Sequence, residues 1–245
     1  MVADLTAKKM HRSFSDIDAM YLWQHPSALL RLAVKAQSEM TCEAFLSRGG
    51  SLEQKIQEAL VGATFLSIFQ RLVSPVMGRI ARINEEALDI EARTANGAIY
   101  QLEITTAYPP GYRIREAYRN GSKPEIPQSA FAGEPIPAEW VATTILNKTA
   151  KVEKKRLNRH LLVYQNIFGG APDLRRLCEL VSGVESIWAS VWIISGVPDW
   201  GGVALLCNTH GFNWSTMEWL SYVNAQERMG FSGFDIYLQQ GESIA

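Results

Sequence analysis

The amino-acid order predicts a mixed α/β protein, a central sheet flanked by helices. Three observations carry that expectation. Apolar residues recur at helical spacing through much of the first seventy positions, and alternating or wholly apolar runs of strand length follow. Helical and strand-like stretches then interleave to the C-terminal region without an internal repeat.

The elements follow in order. Pro26 suits the first turn of a helix through SALLRLAVKAQSEM, whose Leu29, Leu30, Ala33, Val34 and Met40 form one stripe. Gly49-Gly50 breaks the chain, and Ser51 with Gln54 makes a capping box for SLEQKIQEALVGATFLSIFQRL, with Ile56, Leu60, Ala63 and Phe69 inward. Residues 76–84, 86–94 and 97–108 alternate as strands. A helix is expected from about Ala138 to Asn158, then a buried strand at 160–166 and an amphipathic helix at 172–183. SVWIISG and GVALLCN are two further strands around the turn-rich VPDWGG, followed by a helix near STMEWLSYVN and an edge strand at FDIYLQQ. The expected division is a helical extension at 1–50, the α/β core at 51–210 and a C-terminal addition at 211–245.

Composition bounds the function. Hydrophobic residues make up 47% of 245, enough for a core and too many for a disordered chain. No apolar run is long enough to span a bilayer, and the first twenty residues lack a signal-peptide core, so a cytoplasmic protein is expected. Cys42, Cys178 and Cys207 are widely spaced and odd in number, which fits reduced thiols. Twenty-four Lys and Arg against 25 Asp and Glu exclude a generically basic nucleic-acid coat, though not a local basic patch. Walker, dinucleotide, HExxH and G-x-S-x-G patterns are absent, and His11, His25, His160 and His210 show no ligand spacing. His160 opens an apolar strand and is expected to be a hydrogen-bonded structural residue, whereas His210 could edge a site.

The informative feature is the hairpin around Ala95-Asn96-Gly97. A two-residue Asn-Gly turn would set Asp89 opposite Ile104 and mix the faces. A three-residue loop with Gly97 in the left-handed bulge position sets Ile90 opposite Leu102 and Asp89 opposite Glu103. Leu88, Ile90, Leu102 and Ile104 then share one face, and Asp89, Glu91, Gln101, Glu103 and Thr105 the other. Two facing carboxylates repel, so either that face is solvated or a cation sits between them. Mg²⁺ or Mn²⁺ takes such oxygen ligands and supports hydrolysis of phosphate esters.

The order helix, strand, then Asp89 and Glu103-Ile104-Thr105 on a hairpin, then helix and apolar strand, resembles the PD-(D/E)XK, or restriction-endonuclease-like, superfamily. The resemblance spans about residues 51 to 166 and implies a restriction-endonuclease-like core. It also implies a site in which Glu53, Asp89 and Glu103 hold Mg²⁺ or Mn²⁺. The family's E-x-K lysine is Thr105 here, and a hydroxyl cannot replace a cation that offsets developing negative charge. Some members carry that lysine on the following helix, where Lys148 falls at the edge of the Val141, Ile145, Val152, Arg156 stripe. The alternative role for Lys148 is a side chain that only snorkels beside the core.

Basic residues could line such a site. NKTAKVEKKRLNRH holds six Lys or Arg against one acid, with Lys151, Lys154, Lys155 and Arg159 expected to point outward, either as a solvated helix end or as a phosphate-tracking surface. The proline-rich stretch 109–137 interleaves Tyr112, Arg113, Arg115, Tyr118, Arg119 and Lys123, as a binding loop or as a packed insertion. The expected function is metal-dependent hydrolysis of phosphodiester bonds in nucleic acid. The alternative is a catalytically inactive nuclease-fold protein that binds nucleic acid or a protein partner.

Overall fold

The computed structural model describes residues 17–40, 51–81, 89–108, 135–152, 159–165, 171–195 and 202–221. Its elements are α1 (Pro26–Ser38), α2 (Ser51–Leu72), β1 (Val76–Ile80), β2 (Ile90–Thr94), β3 (Ile99–Ala107), α3 (Ala138–Thr149), β4 (Arg159–Gln165), α4 (Leu174–Leu180), a 3-10 turn (Val184–Ser186), β5 (Ser190–Ser195), β6 (Gly202–Asn208) and β7 (Leu220–Ser221). The strands form one open mixed sheet in sequence order, six of them followed by the two-residue β7. β1, β2 and β3 run antiparallel, β4 and β5 lie parallel to β3, and β6 and β7 return antiparallel. Mixed α/β is therefore the observed class.

Strand alternation splits the core into two layers. Ile80, Ile90, Ala92, Leu102, Leu162, Trp192 and Ile194 pack with α1 and α2 on one face. Leu161, Val163, Val191, Ile193 and Leu206 pack with Val141, Ile145 and Leu177 from α3 and α4 on the other. Pro26 does open α1, and Leu29, Leu30 and Ala33 are buried in the same core as α2 rather than in a core of their own. Close approach of α2 to the sheet depends on glycine: a Cβ on Gly62 would stand 2.5 Å from Ile90 Cγ1, and one on Gly78 2.6 Å from Leu66 Cδ1.

The hairpin adopts the three-residue loop. Ile90 pairs with Leu102 and Glu91 with Gln101, and Gly97 has φ +86°. Thr94 and Ala98 close the loop through a backbone hydrogen bond donated by Thr94 at 3.0 Å.

Three expectations need correction. The helix expected to run to Asn158 ends at Thr149, with Ala150 as its cap, and residues 153–158 lie outside the described set. The segment near STMEWLSYVN is not helical where described: Leu220–Ser221 pairs with β6, Thr216 bridges Leu205, and Met217 has φ 62°. Pairing with the apolar β6 backbone outweighs the helical spacing of that segment. Arg159, expected on a solvated helix end, is the first residue of β4 and is 8% exposed. Cys178 and Cys207 are free thiols, while Cys42 and FDIYLQQ lie outside the described residues. Among the described residues, no helix is long and apolar enough to cross a membrane.

Candidate functional site

The site forms where β2 begins. Asp89 stands one residue before β2, and its Oδ2 accepts the Ile104 N–H at 2.7 Å, where a strand carbonyl would otherwise continue the ladder. Its carboxylate thus sits in the β2–β3 seam and interacts with α2 on one side of the sheet and α3 on the other. Glu58 and Lys55 from α2 and Lys148 from α3 all act on its charge. Burial and repulsion from Glu58 raise the Asp89 acid from 3.8 to about 7, against the opposing pull of the Ile104 N–H, Lys55 and Lys148.

The α2 side is held together locally. Lys55 Nζ lies 2.8 Å from Glu58 Oε2 and 4.0 Å from Asp89 Oδ1, and Gln54 Nε2 donates to Glu58 Oε1 at 2.7 Å. Gln54 and Lys55 stand four and three residues before Glu58, so the helix presents both beside it. Glu53 is five residues from Glu58, about 140° away around the helix. No ion pair or hydrogen bond joins it to Asp89 or Glu103 among the described residues, and its Oε2 is buried without a hydrogen-bond partner. The helix carboxylate beside Asp89 is therefore Glu58, which the sequence reading passed over in favour of the glutamate nearer the helix start.

Glu103 lies on the α3 face of β3, in register with Leu161, and is 5% exposed. Two cations meet it: Lys148 Nζ at 2.7 Å from Oε1 and Arg159 Nη2 at 2.6 Å from Oε2. Arg159 lies over the Trp188 ring at 5.6 Å, and Trp188 Nε1 donates to Thr149 Oγ1 at 2.9 Å, next to Lys148 on α3. Thr105 is two residues beyond Glu103 on the same face, and its side chain makes no hydrogen bond among the described residues. The lone signal for Arg159 in the sequence was its place directly before the apolar run HLLV, where a strand has already begun.

The remaining candidates are scattered. Lys151 is exposed just beyond α3, and Arg113, Arg115, Arg119 and Lys155 lie outside the described residues. His160 is a buried structural residue: its Nδ1 is 2.7 Å from Ser190 Oγ, which also receives the Trp192 Nε1–H. Burial and neighbouring His210 hold the His160 imidazolium down to about 3, so the ring is neutral near pH 7. His210 is exposed, with ring contacts to Tyr100, His160 and Phe212.

Among the described residues no three of His, Cys, Asp and Glu already stand arranged around one metal position. Carboxylate oxygens are the donors a hard cation takes, but Glu58 approaches from the α2 side of the sheet and Glu103 from the α3 side. Glu58 Oε2 and Glu103 Oε2 are buried and lack an aligned hydrogen bond, each having only an ion-pair neighbour. A raised acid held between a second carboxylate and the sheet is relieved by positive charge. Lys55, Lys148 and Arg159 balance Glu58, Asp89 and Glu103 as the chain stands. Compared with known proteins, the chain matches no family model, no curated protein and no solved structure.

Proposed function

We propose that this protein is a metal-dependent phosphodiesterase acting on nucleic acid, built on a restriction-endonuclease-like core. One observation carries the reading: Lys148 lies 2.7 Å from Glu103 and acts on Asp89 as well, so a helix lysine and the two hairpin carboxylates form one cluster. The succession of α2, three antiparallel strands, α3 and a β4 parallel to β3 supports the same core.

In this reading Glu58, Asp89 and Glu103 would hold Mg²⁺ or Mn²⁺. When bound, the ion supplies Lewis acidity toward a phosphate oxygen and lowers the pKa of water. Asp89 would hold it as a carboxylate. Lys148 supplies the cation that Thr105 lacks, and its half-buried ammonium offsets charge developing on the phosphate. Arg159 keeps Glu103 oriented. The open side of the hairpin, on the same strand face as Glu103, carries Arg93 over Trp23 at 4.5 Å and the exposed Ile99. Those groups suit phosphate and base contacts beside the site.

The test is incubation of labelled single- and double-stranded DNA and RNA with Mg²⁺ or Mn²⁺. Wild type is expected to cleave at least one substrate and Glu103→Ala none; equal survival of every substrate with both proteins would refute the enzyme. The internal charge balance of the cluster favours a second reading, a catalytically silent relative that binds nucleic acid or a protein. That reading requires no metal affinity, so calorimetric Mn²⁺ binding abolished by Asp89→Ala would count against it.

A further inference from the structure

We propose that Trp188 is a positioning residue that sets both cations on Glu103, its indole edge fixing Lys148 through Thr149 and its ring face seating Arg159. This role rests on the phosphodiesterase reading for what Lys148 does to substrate, and adds the side chain that holds the lysine in place.

Lys148 and Arg159 reach one carboxylate from different elements. Lys148 belongs to the last turn of α3, and Arg159 opens β4. The last turn of a helix leaves carbonyls without intrahelical partners and frays readily, so a lysine there is poorly placed unless the turn is anchored. Thr149 is the anchor. Its Oγ1 donates to the Ile145 carbonyl at 2.7 Å and accepts the Trp188 Nε1–H at 2.9 Å. The hydroxyl thereby links two residues with no exposed surface. Lys148 is the adjacent residue, so fixing Thr149 fixes where the lysine stem begins.

The same indole carries the second cation. The Arg159 guanidinium lies over the Trp188 ring, 5.6 Å from its centroid. Backbone ties hold the ring in register with both neighbours: the Trp188 N–H donates to the Val184 carbonyl at 2.9 Å, and the Ala189 N–H to the Arg159 carbonyl at 2.8 Å. The two contacts use different chemistry, since the indole edge offers one hydrogen-bond donor and the face attracts a cation through its quadrupole. Glu103 is 5% exposed, and a buried carboxylate that loses a counter-charge is strongly disfavoured. One ring that sets both cations meets that demand.

The experiment is acetylation of lysines in the full chain in EDTA, read site by site by mass spectrometry. Thr149→Val is expected to raise the Lys148 rate about fivefold as its pair with Glu103 loosens, while Lys55, paired on α2, keeps its wild-type rate. Thr149→Ser restores the hydroxyl and is expected to stay within about twofold of wild type. Trp188→Phe keeps an aromatic face but loses the N–H. It is expected to free Lys148 as far as Thr149→Val does, and the double variant no further. Arg159 is expected to stay as protected from phenylglyoxal in Trp188→Phe as in wild type. If Trp188→Phe does not fold, the Thr149 variants carry the test.

An unchanged Lys148 rate in Thr149→Val, an equal rise at Lys55, or no rescue by Thr149→Ser overturns the anchoring. Loss of Arg159 protection in Trp188→Phe overturns the division between edge and face. In cleavage assays Thr149→Val is expected to lower kcat about tenfold with little change in KM. A wild-type kcat in that variant, with Lys148 freed, overturns the positioning role. Lys148 freed as expected beside an inert wild type supports the anchoring and refutes the phosphodiesterase alone.

Discussion

Asp89 ties stability to pH more directly than any other side chain of the site. Its acid is raised by burial, and by Glu58 after that, to about 7 from 3.8, so over that interval the folded chain keeps a proton that the unfolded chain has released. The stability it contributes is complete below the unfolded value and is lost as pH rises through about 7. Asp89→Asn keeps an acceptor for the Ile104 N–H but has no charge to desolvate. In divalent-free buffer the variant is expected to melt several degrees above wild type at pH 8, with the gap closing toward pH 4. A gap independent of pH would show that Asp89 ionises freely in the fold. Mg²⁺ at pH 8 is expected to raise the wild-type melting temperature and leave Asp89→Asn nearly unmoved.

The residue scale also separates what the sequence could reveal from what it could not. Asp89, Glu103 and their register follow from alternation and from the glycine of the loop, both local properties. Glu58 could not be distinguished from Glu53 by pattern, because both lie on an amphipathic helix whose rotation about its axis is set by packing. Kinetics distinguish them: Glu58→Gln is expected to lower metal-dependent cleavage at least about 100-fold and Glu53→Gln by less than about threefold. The reverse ranking would return Glu53 to the site.

At the scale of elements, the seating of α2 on β2 sets the distance between Glu58 and Asp89. Gly62 is the contact point, one turn along from Glu58, and an alanine there forces the helix from Ile90. Gly62→Ala is expected to cost about 1–3 kcal/mol of stability, measured by urea denaturation, and to weaken Mn²⁺ binding; Ile90→Val in the same chain is expected to restore part of both. Damage that Ile90→Val does not relieve would place the strain elsewhere. Between β4 and β5, Ser190 serves His160 and Trp192 at once, so Ser190→Ala is expected to cost about 1–3 kcal/mol in the same assay. Element boundaries were the less legible part of the chain. Lys151 to Arg159 read as one basic helix because charge and spacing look alike on a helix end and on the approach to a strand. The ion pair that fixes Arg159 is made with β3, more than fifty residues earlier, and no local pattern contains it.

For the whole molecule, charge is arranged rather than accumulated. A formal charge of −1 covers a cluster in which three carboxylates face three cations across the β2–β3 seam. The order of strands was legible because each apolar run is bounded by turn residues, and the parallel placement of β4 follows from the length of the connection through α3. The two-residue β7 was not, since it exists through pairing with β6 rather than through its own composition.

The most direct measurement is the initial rate of oligonucleotide cleavage by wild type in Mg²⁺ and in EDTA, with Glu58→Gln and Lys148→Met in parallel. The predicted result is hydrolysis that requires Mg²⁺ and falls at least about 100-fold in both variants. Cleavage that persists in EDTA, or that both variants retain, would contradict a metal-dependent site built on Glu58, Asp89, Glu103 and Lys148.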